Sequence, residues 1–223
     1  VLLHLRKSRL ISYVYNLNMM EQFLNRPYIV QKKNLFFLIF LALYLISLII
    51  LGVDLTGFLS IVFVALLTVF AARYYESLAM ILYVALFFRL TAILLGNYFI
   101  TLPESWGDAI RLEMKALEYS QDGFFGVFSN FPSGAASYHM SWILAFFYSL
   151  TDRSPLMGQS ISLIFGMGSV LLGACIANKI WNEQISLKVG WVLAIYPTLI
   201  LYSCLILREA YIWFFILIAL YGV

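Results

Sequence analysis

Long unbroken apolar runs dominate this chain. Three of them cover residues 34–53, 55–72 and 187–207, and each is close to the ~20 residues that an α-helix needs to cross about 30 Å of hydrocarbon. Their residues do not alternate between apolar and polar, as the residues of a membrane β-barrel strand would. The pattern therefore predicts membrane-spanning α-helices.

Further runs at residues 77–96, at 157–180 and from 210 onward complete the predicted set. The fold class that we expect is an all-α integral membrane protein with about six transmembrane helices. Small residues favour close helix packing, so the run that holds Gly158, Gly166, Gly168 and Gly173 predicts a central helix. Pro197 predicts a kink in the next run.

Composition supports the same class. Hydrophobic residues make up 63% of the chain and charged residues 11%, against about 25% charged residues in a typical soluble domain. We exclude a nucleic-acid partner, because no basic surface can form outside the first 33 residues. Cys175 and Cys204 both lie in apolar runs and indicate neither a disulfide framework nor a metal site.

Charge before the first run predicts the orientation. Six basic residues precede it against one acid, Glu21; they are Arg6, Lys7, Arg9, Arg26, Lys32 and Lys33. The positive-inside rule then places the N-terminus in the cytoplasm, and we expect the inner (plasma) membrane of a bacterium. The predicted organisation is a cytoplasmic segment at 1–33, an extra hairpin at 34–72, and the N-terminal part of a larger membrane domain at 73–223.

The two ends of the sequence predict a fragment. Val1 is not an initiator residue, and the last apolar run is still in progress at Val223. Met19 or Met20 is an alternative start, which would make the preceding residues spurious or a short extension.

Residues 97–156 break the apolar pattern, and the orientation makes them an external loop, where functional residues are often placed. Within the loop, residues 108–121 predict an amphipathic helix lying at the membrane interface. Its polar side holds Asp108, Arg111, Lys115 and Glu118, and its apolar side holds Ile110, Met114 and Leu117.

Residues 135–150 admit two topologies. As a full span they would place Lys179 and Lys188 outside, whereas as a helix dipping in from the outer face they leave both lysines inside. The positive-inside rule favours the dipping helix.

Asp108 is the first candidate for chemistry, because a helix N-terminus favours an anion there. The ordinary alternative is a helix N-cap. Glu113 is a second candidate, against the alternative of a solvated acid on the charged face of the helix. Arg111 and Lys115 are expected to be solvated or to pair with Glu113 and Glu118.

Arg89 lies in the middle of an apolar run, where a charge costs at least ~2.5 kcal/mol. It could bind a lipid phosphate or a partner carboxylate, or form a structural salt bridge. Arg208 and Glu209 either mark a turn or join Asp108 in one site, with Arg208 on a phosphate. His139, paired with Tyr138, is a secondary candidate against a hydrogen-bonded structural role.

The order of these features resembles the membrane glycosyltransferases of the GT-C fold, which include protein O-mannosyltransferases and lipid-A aminoarabinose transferases. The resemblance covers roughly residues 78–223. It rests on Phe87-Phe88-Arg89-Leu90, Gly107-Asp108-Ala109, Gly123-Phe124-Phe125-Gly126, the aromatic stretch 132–148, Asn178-Lys179-Ile180-Trp181, the stretch 194–203 and Arg208-Glu209. The hairpin at 34–72 is an addition to the family pattern.

The resemblance implies transfer of a sugar from a polyprenyl-phosphate donor to a glycan, lipid or protein acceptor on the outer face. Asp108 would be the catalytic carboxylate, and the substrate-binding residues would come from Arg208, Glu209, Arg89, Glu113, His139 and Tyr138. A divalent cation, Mg²⁺ or Mn²⁺, is an open requirement, since branches of the family differ. The alternative function is a non-catalytic flippase or transporter of polyprenyl-linked glycans, or a polysaccharide polymerase-type membrane protein.

Overall fold

The computed structural model describes residues 32–129, 131–132 and 138–222. Backbone contacts divide the chain into Val1–Phe36, of which only the start of the first helix is described, and Phe37–Val223. All regular secondary structure in the described ranges is helical. The helices are α1 (Lys32–Ile50), α2 (Leu55–Tyr74), a 3-10 turn (Glu76–Leu78), α3 (Ala79–Tyr98), α4 (Asp108–Ser120), α5 (Gly123–Ser129), α6 (His139–Tyr148), α7 (Pro155–Ile180), α8 (Glu183–Ile195), α9 (Pro197–Cys204) and α10 (Glu209–Tyr221).

The helical content confirms the all-α part of the predicted class, and several of these helices are long and apolar enough to span a membrane. Among the described residues, three qualify by length and composition: Leu55–Tyr74, Glu76–Tyr98 and Pro155–Ile180. A fourth qualifies if α8 and α9, bent by 58° at Pro197, form one broken span. Phe36–Ile50 and Glu209–Tyr221 are apolar but shorter, so the count of about six spans stays a prediction.

Helix α7 is the centre of the bundle. It packs against α2, α3, α8, α9 and α10. Close packing is possible because Gly166 leaves room for the side chain of Ser203 on α9, which a β-carbon at that position would overlap. Gly158, Gly168 and Gly173 likewise face side chains of neighbouring segments, so the predicted close-packing helix is confirmed.

The hairpin of α1 and α2 shares its apolar core with α3 and α7. The ring of Phe37 stacks on that of Tyr83 with 4.1 Å between centroids. Ile61 and Val64 of α2 are fully buried in the same cluster as Leu163 of α7. A tight turn joins the two helices, and its Gly52 has the left-handed φ of 69° that favours glycine.

Polar contacts distinguish the two ends of the bundle. At one end, which we call the loop end, Asp54 contacts Ser154, and Asn97 and Gln159 exchange two hydrogen bonds of 2.8 and 3.0 Å. At the other end, which we call the basic end, Tyr75 lies beside Cys175, and the Lys179 ammonium approaches the carbonyl oxygen of Tyr221 at 3.3 Å. Both cysteines are free thiols.

Helix α4 lies where the amphipathic helix was predicted, and two residues of its predicted apolar side are exposed. Ile110 is 38% exposed and Met114 is 61% exposed. The buried side is instead formed by Ala109, Leu112, Glu113 and Ala116. It packs against α6, where Ser141 donates a 2.7 Å hydrogen bond to the carbonyl oxygen of Leu112.

Helix α6 lies within residues 135–150, the segment for which the sequence left two topologies open. Residues 135–137 of that segment lie outside the described residues. It has 10 residues, which rise about 15 Å, half of the hydrocarbon thickness. Its last residue, Tyr148, donates a 3.1 Å hydrogen bond to the carbonyl oxygen of Ser154, directly before α7. Helix α6 is therefore too short to cross a bilayer by itself.

Candidate functional site

A pocket of about 230 Å³ opens where the starts of α4 and α10 meet. Its lining residues come from three parts of the chain: Asp108, Arg111, Leu112, Tyr138, Leu207, Arg208 and Glu209. Four of these were predicted site residues, namely Asp108, Tyr138, Arg208 and Glu209. Far apart in the sequence, they share one cavity.

The position of Asp108 leaves its carboxylate available. The N-cap of α4 is Gly107, and no side chain caps the helix, so the interpretation of Asp108 as an N-cap is wrong. Asp108 is instead the first residue of α4. Its side chain is 49% exposed, and its Oδ1 accepts one long hydrogen bond of 3.4 Å from Nη1 of Arg111.

Arg208 and Glu209 stand at the start of α10. Nε of Arg208 lies 3.5 Å from Oε1 of Glu209. The other carboxylate oxygen of Glu209, Oε2, is buried and has no hydrogen-bond partner among the described groups. A buried acceptor without a donor costs free energy.

The pocket also contains residues that sequence reasoning did not assign to a site: Arg111, Leu112 and Leu207. Arg111 was expected to be solvated or to pair with Glu113 or Glu118, and it contacts Asp108 instead. Its spacing of three residues from Asp108 on a helix was the available signal, since such residues are neighbours on the helix surface. Leu112 and Leu207 carried no signal, because apolar residues are common throughout this sequence.

Glu113 does not line the pocket and is not part of the charged outer face. It is 6% exposed, and its carboxylate forms a two-point ion pair with Arg153: 2.9 Å from Oε1 to Nε and 3.1 Å from Oε2 to Nη2. The hydrogen bond to Glu113 raises the pKa of the Arg153 guanidinium. The structure therefore assigns Glu113 to holding α4 against the segment between α6 and α7.

His139 and Tyr138 separate in the structure. Tyr138 lines the pocket, whereas His139 is exposed and lies outside it. The His139 ring packs on the ring of Phe131 with 5.4 Å between centroids. The structure therefore brings Tyr138 into the site without His139.

Arg89 lies away from the pocket and is 1% exposed. Its Nε donates to Oγ of Ser203 at 2.9 Å, and its other nitrogens donate to the carbonyl oxygens of Ala85, Ala194 and Leu193 at 3.2, 3.0 and 3.2 Å. Within the described chain these partners are all neutral oxygen atoms. The predicted carboxylate partner is thus not found there, and buried hydrogen bonds take the place of a lipid phosphate.

The open question of a divalent cation stays a prediction. In the part of the chain that the structure describes, no group of three histidine, cysteine, aspartate or glutamate side chains could hold a metal ion. Asp108 and Glu209 supply two carboxylates to the pocket. A Mg²⁺ ion bound with a substrate phosphate commonly takes one or two carboxylates and completes its shell with water.

No protein-family model, no curated protein and no solved structure matches this chain. What the pocket can bind follows from its side chains. Two guanidinium groups suit a phosphate, since arginine pairs with phosphate oxygens through parallel hydrogen bonds. Two carboxylates and the Tyr138 hydroxyl suit a ligand that carries hydroxyl groups.

Proposed function

We propose that this protein is a membrane glycosyltransferase that moves a sugar from a polyprenyl-phosphate donor to an acceptor on the outer face of the membrane. The observation that carries the proposal is the pocket in which Asp108 meets Arg208 and Glu209. A negatively charged phosphate and a hydroxylated sugar match its two cations and two carboxylates. The GT-C resemblance motivates the choice of donor.

Each pocket residue has a role in this reaction. Arg208 and Arg111 would bind the donor phosphate, which departs with the electron pair of its bond to the sugar. Asp108 would accept the proton of the acceptor hydroxyl as that oxygen bonds to the sugar carbon. Glu209, which lines the pocket, would accept a hydrogen bond from a substrate hydroxyl.

In the proposed membrane arrangement, the loop end faces outward and α6 dips into the outer leaflet without crossing it. Two observations support this arrangement. Arg73 lies in the last turn of α2 and Lys179 in the last turn of α7, both at the basic end, as the positive-inside rule requires of a cytoplasmic face. The exposed Ile110 and Met114 give α4 an apolar side suited to the interface.

The test is sugar transfer by the purified protein in proteoliposomes, with a panel of radiolabelled polyprenyl-phosphate hexoses as donors. Replacement of Asp108 by Asn should lower transfer by about 100-fold or more, the usual contribution of a general base. The matched control is Glu118→Gln, which changes an exposed acid on the same helix whose partner is Lys115, and it should leave transfer unchanged. Full transfer by the Asp108→Asn variant would refute the proposal.

A transport function is the second candidate, and the broken helix pair α8–α9 is the observation that favours it, because transporters often bind substrates at interrupted helices. In transporters, however, the carbonyl groups of such a break are available to ions, whereas here Arg89 occupies two of them. Movement of the labelled donor lipid between leaflets, with no transfer to any acceptor, would favour transport over transfer.

A further inference from the structure

The break between α8 and α9 has a specific chemical origin. In a continuous helix the carbonyl oxygen of Leu193 would accept a hydrogen bond from the backbone nitrogen of residue 197, four positions later. Residue 197 is proline and has no N–H group. The 58° bend also carries the next donor away from the carbonyl of Ala194. The break therefore leaves the carbonyl groups of Leu193 and Ala194 without helical partners.

Arg89 supplies the missing donors from another helix. Its two terminal nitrogens donate to these same carbonyl oxygens, at 3.2 Å for Leu193 and 3.0 Å for Ala194. Its Nε donates to Oγ of Ser203 on α9. One side chain of α3 thus holds both sides of the break.

A second contact fixes the end of α9 on the same residue. The Cys204 thiol donates to the carbonyl oxygen of Arg89 with 3.2 Å between the atoms. Immediately after Cys204 the chain becomes extended at Leu205, with φ of −112° and ψ of 161°. Three residues further on, it delivers Arg208 and Glu209 to the pocket.

We propose that Arg89 is a positioning residue for the pocket: by capping the carbonyl groups freed at Pro197, it sets the bend that places Arg208 and Glu209 opposite Asp108. Arg89 acts through α9 and does not touch the substrate. Its effect on sugar transfer rests on the proposed function, whereas its effect on the geometry of the pocket does not.

The experiment compares Arg89→Met with the double variant Arg89→Met/Pro197→Ala in the full chain. The single variant removes the donors from both carbonyl groups and should lower the thermal unfolding midpoint in detergent. Alanine at position 197 restores an N–H group for the Leu193 carbonyl, so the double variant should recover part of the lost stability. The double variant should not recover the bend, because it lacks both Pro197, which interrupts the helix, and Arg89, which caps the freed carbonyl groups.

The pocket geometry is read by cross-linking. Arg111→Cys and Arg208→Cys, two lining positions on opposite helices, are combined in a Cys175→Ser background and treated with a short bifunctional thiol reagent. The native Cys204 is fully buried and stays in place. We expect cross-linking to be rapid when Arg89 is present, and to slow severalfold in both the single and the double Arg89 variants. With the pocket arginines intact, sugar transfer should fall by about 100-fold in both, as for a misplaced catalytic group.

The outcomes separate the possible explanations. Unchanged cross-linking in Arg89→Met would overturn the proposal, and so would recovery of cross-linking together with stability in the double variant, which indicates a merely structural residue. If Arg89→Met does not fold, Ser203→Ala, which removes one of the four hydrogen bonds, takes its place under the same criteria. Absence of transfer in the unmodified chain would refute the proposed function and leave the cross-linking result valid. Arg73→Met, the same substitution at the basic end, is the control. It should change neither the rate of cross-linking nor the rate of sugar transfer.

Discussion

Two carboxylates on α4, five residues apart, have opposite environments. Glu113 points into the protein, where its side chain is 8% exposed and makes both hydrogen bonds of an ion pair with Arg153. Asp108 faces the pocket, where its side chain is 49% exposed and has a single contact of 3.4 Å to Arg111. Both stood as candidates for chemistry in the sequence, and only the structure distinguishes them.

The difference lies in what each carboxylate still has available. The oxygen atoms of Glu113 are already engaged by Arg153 and lie near the Tyr148 hydroxyl, which is 3.4 Å away, so little capacity remains for a ligand. Asp108 retains most of its hydrogen-bonding capacity. Burial with satisfied partners indicates a structural carboxylate, whereas partial exposure beside a cation in a cavity indicates one that can bind.

The largest expected effect comes from leaving Glu113 without its cation. Arg153→Met should lower the free energy of unfolding by about 3 kcal/mol, because it strands a buried carboxylate. Glu113→Gln should cost only about 1 kcal/mol, since the side chain of Arg153 is 51% exposed and remains hydrated after the change. Equilibrium unfolding of the two variants in the same detergent measures the asymmetry.

Equal losses in these two variants would show that the ion pair is a surface contact. Lys115→Met is the matched control, because it removes the cation of an exposed pair on the same helix. Its effect should stay below about 1 kcal/mol, the usual range for exposed ion pairs.

A smaller effect is expected at Asp54. Its side chain caps the N-terminus of α2, whereas Asp108 caps no helix. Its Oδ2 accepts hydrogen bonds of 2.8 Å from the backbone nitrogen of Gly57 and 2.6 Å from the hydroxyl of Thr56. Asp54→Ala should therefore cost about 1 kcal/mol, the typical value of an N-cap. Thermal unfolding at neutral pH measures it.

The contribution of Asp54 should depend on pH. Burial alone would raise the pKa of its carboxyl, but hydrogen bonds from Ser154, Thr56 and the Gly57 backbone lower it overall. A folded-state pKa below the unfolded value gives stability that is present above the unfolded pKa and lost as pH falls through the folded one. The difference between the unmodified chain and Asp54→Ala should close below about pH 4. A difference that stayed constant down to pH 2 would contradict this sign.

Sequence patterns predicted the helices of this fold more readily than the side on which each helix is buried. Run lengths predicted the long helices, and Pro197 and Gly166 predicted the break and the close packing. The apolar side of α4 was expected at the membrane interface, and Ile110 and Met114 are exposed. The side that packs against α6 was not predicted, because in a membrane protein both the interior and the lipid-facing surface are apolar. Periodicity then identifies an apolar side without saying what covers it.

The site could be predicted only in part from the sequence. Asp108 stood out because it was predicted to begin a helix, and Arg208 and Glu209 stood out as charges between apolar runs. The structure brings all three to one cavity. Charge rarity identified Arg89, but its partners are backbone carbonyl oxygens, which carry no sequence signal. Their availability depends on a bend in another helix, and only the tertiary structure shows it.

The smallest expected effect on stability completes the comparison between the two carboxylates of α4. Asp108→Asn should change the free energy of unfolding by less than about 0.5 kcal/mol, the usual range for a surface substitution. Asp108 caps no helix and makes one long contact, so its charge is not needed for folding. The measurement is the same unfolding experiment used for Asp54→Ala, whose larger loss is the positive control. A loss of 1 kcal/mol or more would show that Asp108 is a structural carboxylate like Glu113, whereas preserved stability beside lost transfer would assign its charge to the reaction.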